Sequence, residues 1–108
     1  MNHEMKLNPA PYAAIKTGKK NIELRLNDEK RQRVKIGDTI TFTNTDIPNL
    51  KLYTRVNALY HASSFAELFI AIPLSVCGFD SNLSVEEAAN EMRHYYSEDE
   101  ELKYGALG

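Results

Sequence analysis

Apolar residues recur along this chain with two periods, and the shift from one to the other separates a region of strands from a region of helices. Period two appears at Ile22, Leu24 and Leu26, at Ile40 and Phe42, and at Leu50, Leu52, Thr54, Val56 and Ala58. Such alternation turns one face of a strand to a core and the other to water. KNIELRL, DTITFT and LKLYTRVNALY are therefore expected to be strands, the last a long one. Met5–Leu7 is expected to be a short strand that leads into a helix over Pro9–Thr17. Asn8 suits that helix's N-cap, Pro9 its first position and Gly18 the residue past its end. Tyr12 and Ile15 share its face by three-residue spacing.

Beyond Ala62 the period lengthens. SSFAELFIAI opens with capping serines and ends at Pro73, which predicts a short apolar helix. Ser84 with Glu87 forms a capping box ahead of Val85, Ala88, Ala89, Met92 and Tyr96, which recur at helical spacing. Ser97 is an N-cap for SEDEELK, a polar turn or helical stub that reaches Gly105. NDEKRQRVK, IGD and TDIPN read as connections. No internal repeat is visible, and the economical architecture is one small barrel or curled sheet with attached helices.

Composition narrows the class. The chain has 108 residues, 43% apolar and 26% charged, which predicts one globular domain over 1–108 with one core. Cys77 is the single cysteine, so no internal disulfide forms and the usual cysteine-based zinc sites are out of reach. Its expected role is that of a small buried hydrophobe. His3, His61 and His94 fall on separate elements with no metal-ligand spacing, so neither a metal nor a cofactor is expected. MNHEMKLNPAPY lacks a secretory apolar run, and no stretch approaches the roughly 18 apolar residues of a membrane span. A cytoplasmic protein without membrane association is expected.

The net charge of −2 conceals an asymmetry. Residues 1–55 carry 11 Lys or Arg against 6 Asp or Glu, and residues 56–108 carry 2 against 9. A basic half could meet phosphates, while the acidic half discourages indiscriminate binding to duplex nucleic acid. Uneven surface charge without function accounts for the same numbers.

GKKNIELR, residues 18–25, concentrates the candidate chemistry. Alternation places Glu23 and Arg25 on the face opposite Ile22, Leu24 and Leu26. Lys20 has the wrong parity for that face and joins it only if a turn after Gly18 or a bulge redirects it. With all three together, two cations flank a carboxylate, and Arg25 offers its planar fork to a phosphate or base edge. A solvated surface network has the same composition, because exposed ion pairs are common and contribute little.

The spacing Gly18, Lys20, Glu23, Arg25 is similar to the G-x-K-x-x-E-x-R signature of ASCH domains, a branch of the PUA-like superfamily. The helix carrying PxPYAAI, the IGD turn and YYSEDEELKYG near the end extend the resemblance over nearly the whole chain, as in a small stand-alone bacterial member. It implies an α+β, mainly β fold, a small PUA-like mixed β-barrel with about three flanking helices. It also implies a cleft beside the first helix that takes single-stranded RNA or a nucleoside, lined by Lys20, Glu23 and Arg25. Tyr12 or Tyr53 is then available for base stacking, and Ser97 corresponds to a polar residue near the cleft. The family pattern continues past YGALG into a final apolar strand. A chain ending at Gly108 is thus expected to keep an open sheet edge or to lack that strand.

Three functions fit this resemblance. The first is a binding module for RNA or a modified nucleoside. The second is metal-independent hydrolysis. On acetylcytidine, Lys20 matches the catalytic lysine of the family's amidohydrolases, but Glu23 stands where they have a threonine. Only Asp80, among Asp80, Ser81 and Asn82, could replace their glutamate. On RNA, Lys20 and Arg25 would stabilise a phosphorane with Glu23 as base. The third is a protein-interaction module that uses the sheet edge and acidic tail.

Overall fold

The computed structural model describes residues 1–108. Strand β1 (Asn2–Leu7) runs into α1 (Pro9–Lys16), and after a nonrepetitive stretch comes β2 (Arg25–Leu26). β3 (Thr39–Asn44), β4 (Lys51–Arg55) and β5 (His61–Ala62) precede α2 (Phe65–Ala71), α3 (Val85–Glu91), α4 (Glu98–Tyr104) and β6 (Ala106–Leu107). Short 3₁₀ turns lie at Arg31–Arg33, Leu74–Cys77 and Met92–His94.

The strands form two three-stranded sheets, in orders β1-β3-β4 and β2-β6-β5. β1 pairs with β3 in parallel, with α1 and β2 between them in the chain, and β3 pairs with β4 antiparallel. In the first sheet the period-two pattern holds: Met5, Leu7 and Phe42 are buried while Glu4 and Lys6 are exposed. The second sheet is made of two-residue strands, with β6 in the middle.

The barrel does not form: the two sheets remain separate. Strands β2, β5 and β6 are too short to close a sheet on itself, and the residues between Arg55 and His61 carry the chain from one sheet to the other. Helix also outweighs strand, and four α-helices replace the expected three because SEDEELKY is a full helix. The long strand over LKLYTRVNALY stops at Arg55, and Ala58, which its alternation points inward, is exposed. KNIELRL is a strand only at its end, because the N–H groups of Asn21 and Ile22 both donate to the Val76 carbonyl, at 2.8 and 3.0 Å, rather than to a neighbouring strand. No helix is long and apolar enough to cross a membrane.

Apolar burial falls into two clusters instead of the single core expected. Met5, Leu7, Tyr12, Val34, Phe42 and Val56 pack between the first sheet and α1. Phe65, Leu68, Phe69, Ile72, Cys77, Ala88 and Met92 pack the helices against Leu24, just before β2, and Leu26 and Ala106 of the second sheet. The helix starts are capped as their sequences require: Ser64 Oγ accepts from Glu67 N at 3.1 Å, and Ser84–Glu87 and Ser97–Glu100 are capping boxes. Asn8 sits at the N-cap of α1 but makes no side-chain cap hydrogen bond there.

Leu68 is 1% exposed and Ile70, two residues along α2, is 75% exposed. Leu68→Ala is expected to lower unfolding free energy by about 2–5 kcal/mol, while Ile70→Ala stays within about 0.5 kcal/mol. Urea denaturation of the two variants checks this. A second test concerns Asp38, which accepts from Lys35 N at 3.0 Å and lies 2.8 Å from His3 Nε2. The His3 contact, then the Lys35 amide, lowers its pKa from 3.8 to about 2. The folded state therefore binds this proton more weakly than the unfolded chain. The resulting stability is present above about pH 4 and is lost as pH falls through 2. Asp38→Asn is expected to melt earlier than the parent at pH 7, with the difference shrinking between pH 4 and pH 2.

Candidate functional site

The site begins where α1 ends. Gly18 adopts φ +80°, and Lys20 N donates to Ala14 O at 3.0 Å, so the chain folds back over the helix end before it turns toward Val76. This turn resolves the parity of Lys20: its side chain joins those of Glu23 and Arg25 although the three do not share a strand face. Gly78, at φ +87°, makes room for it. A Cβ on Gly78 would stand 3.0 Å from Lys20 Cδ.

Glu23 is the hub. Its Oε1 lies 2.8 Å from Lys20 Nζ and accepts from Leu24 N at 3.2 Å. Its Oε2 accepts from Arg25 Nε at 3.0 Å and lies 2.9 Å from Arg25 Nη2. Arg25 Nη2 also donates to Lys6 O in β1 at 2.7 Å. The three side chains are 12%, 17% and 16% exposed. Withdrawn from water to this degree, they interact more strongly than a surface ion pair, whose contribution is about 0–1 kcal/mol.

These charges line a cleft of about 430 Å³. Ala10 and Ala14 of α1 contribute to its wall, as do Cys77 and Gly78, and Tyr95 and Tyr96 line it beyond the end of α3. Burial raises the pKa of the Tyr96 hydroxyl, opposed by Arg25 and Arg31, so it remains a protonated donor at neutral pH. Its ring stacks on Phe65 at 5.9 Å between centroids. Burial likewise pushes the Cys77 thiol up, against the influence of Lys20. A larger cavity of about 710 Å³ shares Glu23 and Arg25 as a wall, but its lining is mostly apolar and lacks Lys20. The smaller cleft, which has all three charges, is the candidate site.

Lys20, Glu23 and Arg25 are thus brought together, and the other residues expected near them are not. Tyr12 is 5% exposed inside the sheet-side cluster, where its ring serves packing. Ser97 caps α4, its Oγ accepting from Glu100 N at 3.1 Å, and lies outside the cleft lining. Asp80 Oδ1 accepts from Asn82 N at 2.9 Å, also outside the lining. Tyr53 is 80% exposed on β4. Tyr95 and Tyr96 are cleft aromatics that helical spacing does not reveal: Tyr96 continues the apolar period of Val85, Ala88, Ala89 and Met92, but the helix stops at Glu91 and both rings turn to the cleft. The three histidines stay apart, and no three His, Cys, Asp or Glu side chains gather as a metal would require.

Comparison with known proteins adds to this geometry. The sequence model of a family described as the ASCH domain matches residues 5–107. The crystal structure of a hypothetical protein, PH0355, is 36% identical with a TM-score of 0.83, covering 99% of this chain and 94% of its own. The solution NMR structure of protein PF0455 from Pyrococcus furiosus is 37% identical with a TM-score of 0.73, covering 99% and 92%. Pyrococcus furiosus is an archaeon, so the likeness is not a mark of bacterial origin. No curated protein matches the chain.

Because Gly78 combines a positive φ with close approach to Lys20, Gly78→Ala is expected to cost about 1–2 kcal/mol. Arg25→Ala removes charge-assisted bonds to Glu23 and Lys6 O and is expected to cost about 1.5–3 kcal/mol. That exceeds the roughly 0.5 kcal/mol typical of a surface substitution. Thermal and urea unfolding of both variants measure these losses.

Proposed function

Given that the chain belongs to the ASCH domain family, shown by the match over residues 5–107, we propose that the cleft between α1 and Tyr95–Tyr96 binds single-stranded RNA or a modified nucleoside. One observation carries this: an ammonium and a guanidinium are held 2.8 and 2.9 Å from one carboxylate on the wall of a cleft that also presents two tyrosines. Lys20 keeps ammonium protons beyond the one shared with Glu23 for a phosphate or base carbonyl. Tyr95, 63% exposed, offers a ring for stacking, and Tyr96 a hydroxyl donor. A cavity of about 430 Å³ lies in the range for small-molecule sites, about 300–1,000 Å³.

Binding fits better than hydrolysis because Glu23 is already committed. Both oxygens already accept from or face cations, so neither lone pair is free to reach a substrate proton without breaking an existing contact. Asp80, the candidate stand-in for the amidohydrolase glutamate, does not line the cleft. The buried Cys77 thiol, the chain's only cysteine, suits a reducing cytoplasm.

Titration of a short single-stranded RNA at two salt concentrations tests the proposal. Affinity is expected to fall with salt, with a log–log slope near 0.7 per phosphate neutralised. Lys20→Ala is expected to weaken binding about tenfold or more, as loss of one charge-assisted contact would. Binding that ignores both salt and Lys20 contradicts the assignment. Turnover of acetylcytidine or RNA would instead move the cleft to the hydrolases.

A further inference from the structure

The basic half of the chain is only partly used by the cleft. Three of its cations, Lys6, Lys51 and Arg55, lie on the outer face of the β1-β3-β4 sheet. The registers place three rows across that face: Lys6, Thr43 and Lys51; Glu4, Thr41 and Tyr53; Asn2, Thr39 and Arg55. Adjacent strands are about 4.8 Å apart, so each row crosses the sheet in two short steps. The first row starts at the cleft, since Lys6 also lines it.

Tyr53 stands at the end of the middle row, 80% exposed, between Lys51 and Arg55 two residues away on either side and on the same face. Neither cation forms an ion pair. Glu4 is the only acid in the three rows, and Lys30 Nζ donates to its backbone carbonyl at 3.1 Å, adding another cation beside it. Packing does not explain the tyrosine: the ring is largely in water, and its cross-strand partner is a threonine. Nor does the face resemble a protein interface, whose centre is apolar and poor in charge. An exposed ring flanked by unpaired cations suits a base stacked on the ring with phosphates on either side.

We infer that this sheet face is a second contact surface for single-stranded nucleic acid, carrying a strand onward from the cleft past Lys6 and Lys51 to a base stacked on Tyr53. The link to the cleft rests on the function proposed above, but the sheet surface stands on its own charges and ring.

The test compares two probes, cytidine monophosphate and a single-stranded RNA of roughly 10 nucleotides, inside the roughly 4–16 nucleotide site size of an OB-fold. Tyr53→Ala is expected to weaken the longer probe about 5- to 150-fold, the range for losing one base–aromatic stack, and to leave the mononucleotide unchanged. The Lys51→Ala, Arg55→Ala double variant is expected to lower the salt slope for the longer probe by about 1.4. Unchanged unfolding midpoints show that these exposed substitutions leave the fold intact. Equal affinity of parent and Tyr53→Ala for the longer RNA overturns the inference, as does failure of the longer RNA to bind at all. A Tyr53-dependent dimer in light scattering without Tyr53-dependent RNA binding assigns the face to protein contact and also overturns it. If the longer RNA binds through Tyr53 while the mononucleotide does not bind, the sheet surface stands and the cleft assignment falls.

Discussion

A single carboxylate, Glu23, holds the site together. Lys20 reaches it from a segment that has left regular structure and Arg25 from the first position of β2, and Arg25 continues the chain of bonds to the β1 backbone at Lys6 O. Without that anchor, residues 19–24 would have few ties: the Lys20 amide to α1 and the Asn21 and Ile22 amides to Val76. Leu24 and Leu26 belong to the helix-side cluster, while Arg25 reaches the strand of the sheet-side cluster. The Glu23–Arg25 pair therefore couples the two apolar clusters as well as forming a wall of the cleft. Its structural and functional roles are inseparable, and substituting Arg25 disturbs both.

The charge asymmetry has a structural explanation on each side. Much of the acidic half is spent at helix beginnings, with Glu86 and Glu87 in the first turn of α3 and Glu98, Asp99, Glu100 and Glu101 in that of α4. Carboxylates there oppose the positive end of the helix dipole and complete the capping boxes. Glu101 is buried and bound by Arg93 at 3.2 Å, which raises the Arg93 pKa further. The basic half is used differently: Arg25 and Arg31 are held by Glu23 and Asp28, while Lys51 and Arg55 on the outer sheet face form no ion pair and remain available to a polyanion.

Local chemistry was readable from the sequence, and the meeting of distant segments was not. Both the Ser84–Glu87 box and the role of Ser97 as a helix cap followed from residue type and spacing, because a cap is satisfied within four residues. β3 and α1 followed from period and breakers in the same way. Strand lengths did not follow, since a ladder needs a partner. The alternation through LKLYTRVNALY continues past Arg55, where the ladder ends. The failure of barrel closure has the same origin, because nothing local says that β2, β5 and β6 will each be two residues long. Within the site, the motif named Lys20, Glu23 and Arg25, and the required redirection of Lys20 was visible as a parity conflict. Tyr12 was misplaced because its helical face is the buried one, and Tyr95 and Tyr96 were overlooked because their position depends on where α3 stops.

The central claim is that the cleft walled by Lys20, Glu23 and Arg25 is where a nucleoside or nucleotide sits. Amide chemical-shift mapping during titration with cytidine monophosphate tests it most directly. The account predicts shifts concentrated at Lys20, Glu23–Arg25, Cys77–Phe79 and Tyr95–Tyr96. Shifts confined to the larger apolar cavity around Leu59, Tyr60 and Ile72, or no saturable shifts at all, would contradict it.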